Sequence, residues 1–181
     1  MLLSHKKKEM TISIAIFGKS KPAKEIFPEM IMYIREVFKI LEYDFNYMAL
    51  ESDNYKDGKI KTVNRFFSKA EKEILEGNCI NSVEFYSLSE NYNNVGFDDN
   101  LSIQWTPNYM LFTFSAGDFK KVNGENIIDK IKQFFQFDHA EIFKLKRNEC
   151  PWIYVLGVNP KSFFKSLRII KTYREDDNIS V

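Results

Sequence analysis

Gly18, Lys19 and Ser20 directly follow an apolar run, TISIAIF at residues 11–17. A Gly-Lys-Ser in that position ends the loop that cradles phosphates with backbone N–H groups. That chemistry needs a second glycine five residues before Gly18, and Ser13 stands there instead. Pro22 also delays the helix whose N-terminus would face the phosphate, so the tripeptide reads as a strand-exit turn. Carboxylates beside a lysine, the set used in metal-assisted phosphoryl chemistry, occur at Asp98 and Asp99 and in the triplet Asp118, Phe119, Lys120. The same Asp-x-Lys recurs at Asp57, Gly58 and Lys59 in an evident loop, which favours solvated strand exits over catalysis. The two histidines, His5 and His139, are too few for a histidine metal centre, and Cys79 and Cys150 have neither CxxC spacing nor a local histidine. A Cys150/His139 nucleophile pair stands as the alternative to a small packed thiol. The residues therefore predict no catalytic, cofactor or metal site.

Composition narrows the classes further. Lys and Arg total 26 against 25 Asp and Glu, a net charge of +1, so the chain lacks the positive field of a non-specific nucleic-acid binder. The 17 Phe and 9 Tyr fall mostly on apolar stripes rather than among the lysines, which argues against base-stacking platforms. No apolar run approaches the ~18 residues of a membrane span, and the opening MLLSHKKKEM has its apolar and basic parts in the reverse of signal-peptide order. The chain reads as cytoplasmic, with neither nucleic acid nor membrane as partner.

The elements that would position any site follow from periodicity. Ile12, Ile14 and Ile16 alternate in a first strand closed by Gly18. Met30, Ile31, Ile34, Val37, Phe38 and Leu41 recur at helical spacing after Pro28, which suits a first helical turn. A second strand is expected over 43–50, then a helix capped by Thr62 with Val63, Phe66, Phe67, Ala70 and Ile74 on one side. Runs 82–88, 101–105 and 109–114 have no helix between them and predict an antiparallel meander. Asn123 caps a third expected helix bearing Ile127, Ile128, Ile131, Phe134 and Phe135. Short strands are expected over 142–145 and 152–156, and a terminal helix from Asn159 and Pro160 carrying Phe163, Phe164, Leu167 and Ile170. Without repeats or Gly/Ser linkers, the prediction is one α+β domain over 1–181, a mixed sheet with three to four helices mainly on one face, and frayed ends at 1–10 and 174–181.

If right-handed helical crossovers joined the first three strands, their carboxyl ends would share one sheet edge. The loop after the second strand would bring Glu51, Asp53, Tyr55 and Asp57 there. The loop after the third would bring Glu90, Tyr92, Phe97, Asp98 and Asp99. Acids with aromatic anchors are what a basic protein partner would meet at an interface. Lys19, Lys21 and Lys24 would reach the same edge and make it two-signed.

With its single α+β domain, no catalytic constellation, and these charged, aromatic-bearing loops, the chain resembles the immunity proteins of bacterial polymorphic-toxin and contact-dependent systems. The resemblance implies a non-enzymatic protein that neutralises one cognate toxin by tight binding, often by covering its active site. It transfers no individual residue. The alternatives are a small enzyme using Cys150 or the Asp98/Asp99 region, and a structural or regulatory subunit of a larger assembly.

Overall fold

The computed structural model describes residues 9–174. They form one α+β domain built on an eight-stranded sheet, in chain order β1 (Met10–Ser20), α1 (Ala23–Ile40), β2 (Tyr47–Ser52), β3 (Lys61–Thr62), α2 (Val63–Leu75), β4 (Ile80–Ser87), α3 (Val95–Asp98), β5 (Leu101–Trp105), β6 (Tyr109–Ser115), α4 (Gly124–Lys132), β7 (Phe135–Lys146), α5 (Pro151–Leu156) and β8 (Arg168–Arg174). The strand order is β3-β2-β4-β5-β6-β1-β7-β8.

Strand alternation sorts the side chains between two unlike faces. One face carries Ile14 and Ile16 of β1, Val83 and Phe85 of β4, Leu101, Ile103 and Trp105 of β5, and Phe112 and Phe114 of β6, all packed into a single core with α1, α2 and α4. The apolar stripes predicted for these helices are the faces they bury: Ile34 and Ile131 are fully buried. Phe67 is partly buried beneath the Arg35 guanidinium, 4.7 Å from its ring centre. Asn123 caps α4 as expected, its side-chain oxygen accepting from the N–H groups of Glu125 and Asn126. Thr62 occupies the cap position of α2 but makes no side-chain cap bond. Pro28 lies inside α1 rather than in its first turn. It is solvent-exposed there, and seven buried side chains hold the helix despite the lost backbone donor.

The opposite face is covered only in part. α5 lays Tyr154 and Val155 over Ala15, Leu111, Phe143 and Leu145, forming a second, smaller core with Phe164. Among the described residues, the remainder of that face, over β2, β4 and β5, is bordered by Val95 of α3 and by Trp152 and Leu156 of α5 rather than packed beneath a helix.

Every strand pairing is antiparallel, so the sheet is not mixed. β1 and β2 do run the same way, four antiparallel steps apart in the sheet. The expected third parallel strand, β4, instead lies directly against β2 in antiparallel register, Tyr47 opposite Tyr86. The carboxyl ends of β2 and β4 therefore leave at opposite edges.

The C-terminal third also departs from expectation. The predicted strand 142–145 is the end of the 12-residue β7, and 152–156 is helix α5, with Pro151 at its first position and left-handed Gly157 (φ +67°) closing it. In place of a terminal helix there is a short 3-10 turn, Lys161–Phe163, and then edge strand β8. The β-branched Ile169, Ile170 and Thr172 with Tyr173 suit a strand better than a helix. Met10 and Arg174, placed in the fraying ends, belong to β1 and β8, and the Glu9 carbonyl accepts from the Arg147 backbone N–H, whereas residues 1–8 and 175–181 of those expected ends lie outside the described residues.

Gly18 is fixed by geometry. It sits at a bulge in the β1–β7 pairing with φ +149°, and a Cβ there would stand 2.2 Å from the Gln136 carbonyl oxygen.

Candidate functional site

The uncovered face becomes a site because its registers align polar residues. One row across β2, β4, β5 and β6 reads Ala49, Glu84, Gln104 and Leu111, and the next reads Tyr47, Tyr86, Ser102 and Thr113. On each strand these residues alternate with core residues such as Val83 and Ile103, so burying the core presents them all to one side. Between them and α5 lies a cavity of about 530 Å³, whose wall includes Trp152 and Leu156. Both are about half exposed, 47% and 45%.

A continuous hydrogen-bond chain runs along the cavity floor. The Tyr109 hydroxyl donates to Gln104 Oε1 at 2.9 Å, and Gln104 Nε2 donates to Glu84 Oε1 at 2.8 Å. The Tyr86 hydroxyl donates to Glu84 Oε2. Burial first, and the Glu84 charge second, push the Tyr86 phenol far above its ordinary value and the Tyr109 phenol up to about 12. Both hydroxyl protons are thus committed to the chain, and the oxygens offer the cavity lone pairs.

At the edge where β4 and β7 end and β5 begins, the wall is an ion pair. Arg147 Nη1 meets Asp99 Oδ1 at 2.5 Å, with the side chains 3% and 4% exposed. Burial raises the Asp99 carboxyl above its usual range, opposed chiefly by the Arg147 charge and by a hydrogen bond with Ser102. Arg147 Nη2 also stands 3.7 Å from Glu9, while its Nε is buried with no hydrogen-bond partner. Among the described residues lining the cavity, Glu51, Glu84 and Asp99 face the single cation Arg147. The cavity is acidic and rich in acceptors.

The structure disperses the residues expected to share one edge. Glu51 is exposed on β2 and Asp99 is buried, and both line the cavity. Asp98 is buried too, accepting from the N–H groups of Asn93 and Asn94 at 2.8 and 2.9 Å. It organises its own loop rather than presenting a free charge. Glu90 is exposed in that loop, and Tyr92 packs edge-on against Tyr47 with ring centres 5.2 Å apart. The side chain of Phe97 lies outside the described residues. Asp53, Tyr55 and Asp57 leave at the other edge: Asp53 is exposed, Tyr55 packs edge-on against Phe66, and Asp57 pairs with Lys59 at 2.9 Å. Lys19 near the end of β1, with Lys21 and Lys24 just beyond it, lies at that same edge but four strands away from the end of β2.

Cys150 lines the cavity, but burial pushes its thiol up, away from the thiolate a nucleophile needs. His139 stacks on Phe17 at 4.4 Å and contacts Asp138 at 3.0 Å. Seven residues of β7, roughly 23 Å at ~3.3 Å per residue, lie between His139 and the strand end that leads to Cys150, so the two do not form a pair. Asp118 is buried, accepting from the Tyr43 and Ser115 hydroxyls at 2.7 and 2.6 Å with Lys121 at 3.2 Å. This closed cluster fastens the segment after β6. Among the described residues no group of three or more His, Cys, Asp or Glu could hold a metal ion, and no helix is long and apolar enough to cross a membrane.

Sequence reasoning passed over Glu84, Tyr86, Gln104, Tyr109 and Arg147. The available signal was the alternation of polar Glu84 and Tyr86 with Val83 and Phe85 on a strand that proves central to the sheet. The fold defines an antiparallel α+β domain with one helix-covered and one partly open face. Comparison with known proteins finds no matching family model, no matching curated protein and no matching solved structure.

Proposed function

We propose that this chain is a non-enzymatic cytoplasmic binding protein of the immunity type, which neutralises a cognate toxin by docking the open face of its sheet onto a basic surface of that toxin. The observation that carries the reading is the open face: an acidic cavity whose polar floor is already hydrogen-bonded into place, bordered by the exposed apolar side chains of Trp152 and Leu156. Val158 and Phe163, 70% and 59% exposed, continue the apolar stretch of chain beyond α5. An aromatic anchor beside preorganised polar groups is the anatomy of an interface hot spot. Acid excess would steer a basic partner and reject acidic ones. The toxin as partner rests on the resemblance described above.

The test is co-expression with a candidate toxin domain, taken from any secreted protein found to be encoded beside this gene. The wild-type chain should restore growth, and Trp152→Glu should abolish both rescue and co-purification while leaving the melting temperature unchanged. A wild-type chain that fails to bind that toxin, or a Trp152→Glu variant that protects fully, would refute the proposal.

A further inference from the structure

We infer that the cavity is a receptor for an arginine side chain on a protruding peptide segment, with Glu84 gripping the guanidinium and Arg147 Nε taking a backbone carbonyl of the same segment. The inference rests on the binding-protein reading above and names what that protein grips.

Glu84 carries the first half. A carboxylate offers about four lone-pair positions. Tyr86 fills one on Oε2 and Gln104 one on Oε1, leaving one acceptor position on each oxygen. Two parallel acceptors on one carboxylate match the two parallel N–H donors of a guanidinium, a fit a point-like ammonium cannot make. Gln104 and Tyr86 also lock the carboxylate's orientation, so little freedom is lost on binding. Tyr86, Tyr109 and Trp152 line the same cavity, and aromatic rings are favourable neighbours for a planar cation.

Arg147 carries the second half independently. Its side chain is 3% exposed and lines the cavity, yet its Nε has no hydrogen-bond partner. A buried donor of a charged group left unmade is costly, so it marks where an incoming acceptor is favoured. The acceptor should be neutral, because Glu51, Glu84 and Asp99 would repel an anion. A peptide carbonyl a few bonds from an arginine side chain supplies an acceptor and a cation from one chain.

The probe is N-acetyl-arginine amide, titrated into the full chain while backbone amide shifts are followed by NMR. A fragment of this size at ordinary ligand efficiency should bind with Kd on the order of 1 mM, shifting amides of residues 84–86 and 102–104. N-acetyl-citrulline amide, its neutral isostere, should bind at least ~10-fold more weakly, as expected when a charge-assisted bond is lost. n-Butylguanidine, which keeps the guanidinium and its single charge but lacks the carbonyls, should also bind more weakly than the capped arginine, and equal binding of the two would remove the Arg147 half of the inference. Glu84→Gln should reduce capped-arginine binding at least ~10-fold and leave citrulline binding unaltered.

Equal binding of arginine and citrulline amides, shifts confined to another surface, or no shifts at ~10 mM probe would each overturn the inference. The citrulline arm uses unmodified protein, so it decides the matter even if Glu84→Gln fails to fold. The titration needs no toxin. A silent cavity together with a Trp152-dependent toxin complex would remove the arginine receptor and keep the interface. Capped-arginine binding without toxin binding would do the reverse.

Discussion

Arg147→Met isolates the buried ion pair at the cavity wall. In the wild type both side chains are more than nine-tenths buried and the closest N–O approach is 2.5 Å. At 4 Å between charge centres and an effective dielectric near 20, the attraction is about 4 kcal/mol, roughly what desolvating the two groups costs. The intact pair should therefore contribute little net stability. Deleting the cation strands Asp99, and a stranded buried charge costs about 3–5 kcal/mol, a large part of a domain's total. For a chain of this length that lowers Tm by about 12 °C. Replacing both partners, Arg147→Met with Asp99→Leu, should recover stability to within about 1 kcal/mol of wild type, because no uncompensated charge remains.

The pH dependence carries the sign. Burial already holds Asp99 above the usual carboxylate range against the pull of Arg147, and removing Arg147 lifts it further. A carboxyl whose folded pKa exceeds its unfolded value binds more protons when folded. Its stabilising effect is complete below the unfolded pKa, about 4, and is lost as pH rises towards the folded value. The single variant should therefore lose stability as pH rises above about 4, with a slope of up to about 1.4 kcal/mol per pH unit, steeper than wild type. Urea melts of the four proteins of the double-mutant cycle, repeated across that range, supply every quantity. A single variant within about 1 kcal/mol of wild type, or one with a flat pH profile, would refute the account of the wall as a self-compensating buried pair.

Two further outcomes test the scaffold. Burial raises Asp118, but hydrogen bonds from Ser115, Tyr43 and Lys121 outweigh it and hold the carboxyl below its ordinary value. Its contribution is therefore present above pH about 4 and lost as pH falls further, so Asp118→Asn should flatten the fall in Tm between pH 5 and 2.5, and an unchanged acid limb would count against the cluster. Gly18→Ala forces a Cβ to within 2.2 Å of the Gln136 carbonyl oxygen at a backbone angle that side chains rarely adopt. It should destabilise by at least about 2 kcal/mol in urea melts, and a loss under about 0.5 kcal/mol would mean that the bulge relaxes freely.

What was legible in the sequence was whatever a local period encodes. The stripes through Ile34, Phe66 and Ile131 specify the helix-covered face, and the alternation at Leu101, Ile103 and Trp105 gives β5 its bounds. Strand order was not local. β1 reaches β6 and β7 across about a hundred residues, and nothing in TISIAIF distinguishes an antiparallel partner from a parallel one. The C-terminal misassignments have the same root: Trp152–Leu156 and Phe163–Ile170 are short apolar runs whose helix or strand state is decided by packing against β7 rather than by propensity.

The site was illegible for a related reason. Adjacent acids such as Asp98 and Asp99 look in sequence like exposed charge, yet both turn inwards, one to hold backbone N–H groups and the other to meet Arg147, 48 residues away. Glu84, a single acid among apolar neighbours, looks like the solvent side of an ordinary strand, yet register places it beside Gln104 and within reach of Tyr86. A charge on a mobile loop loses most of its directional value to solvent and to its own freedom. A charge on a central strand, its geometry fixed by two hydrogen-bonded neighbours, keeps that value for a partner. The open face therefore has a stronger physical claim to recognition than the more heavily charged loops, because its charge is held before the partner arrives.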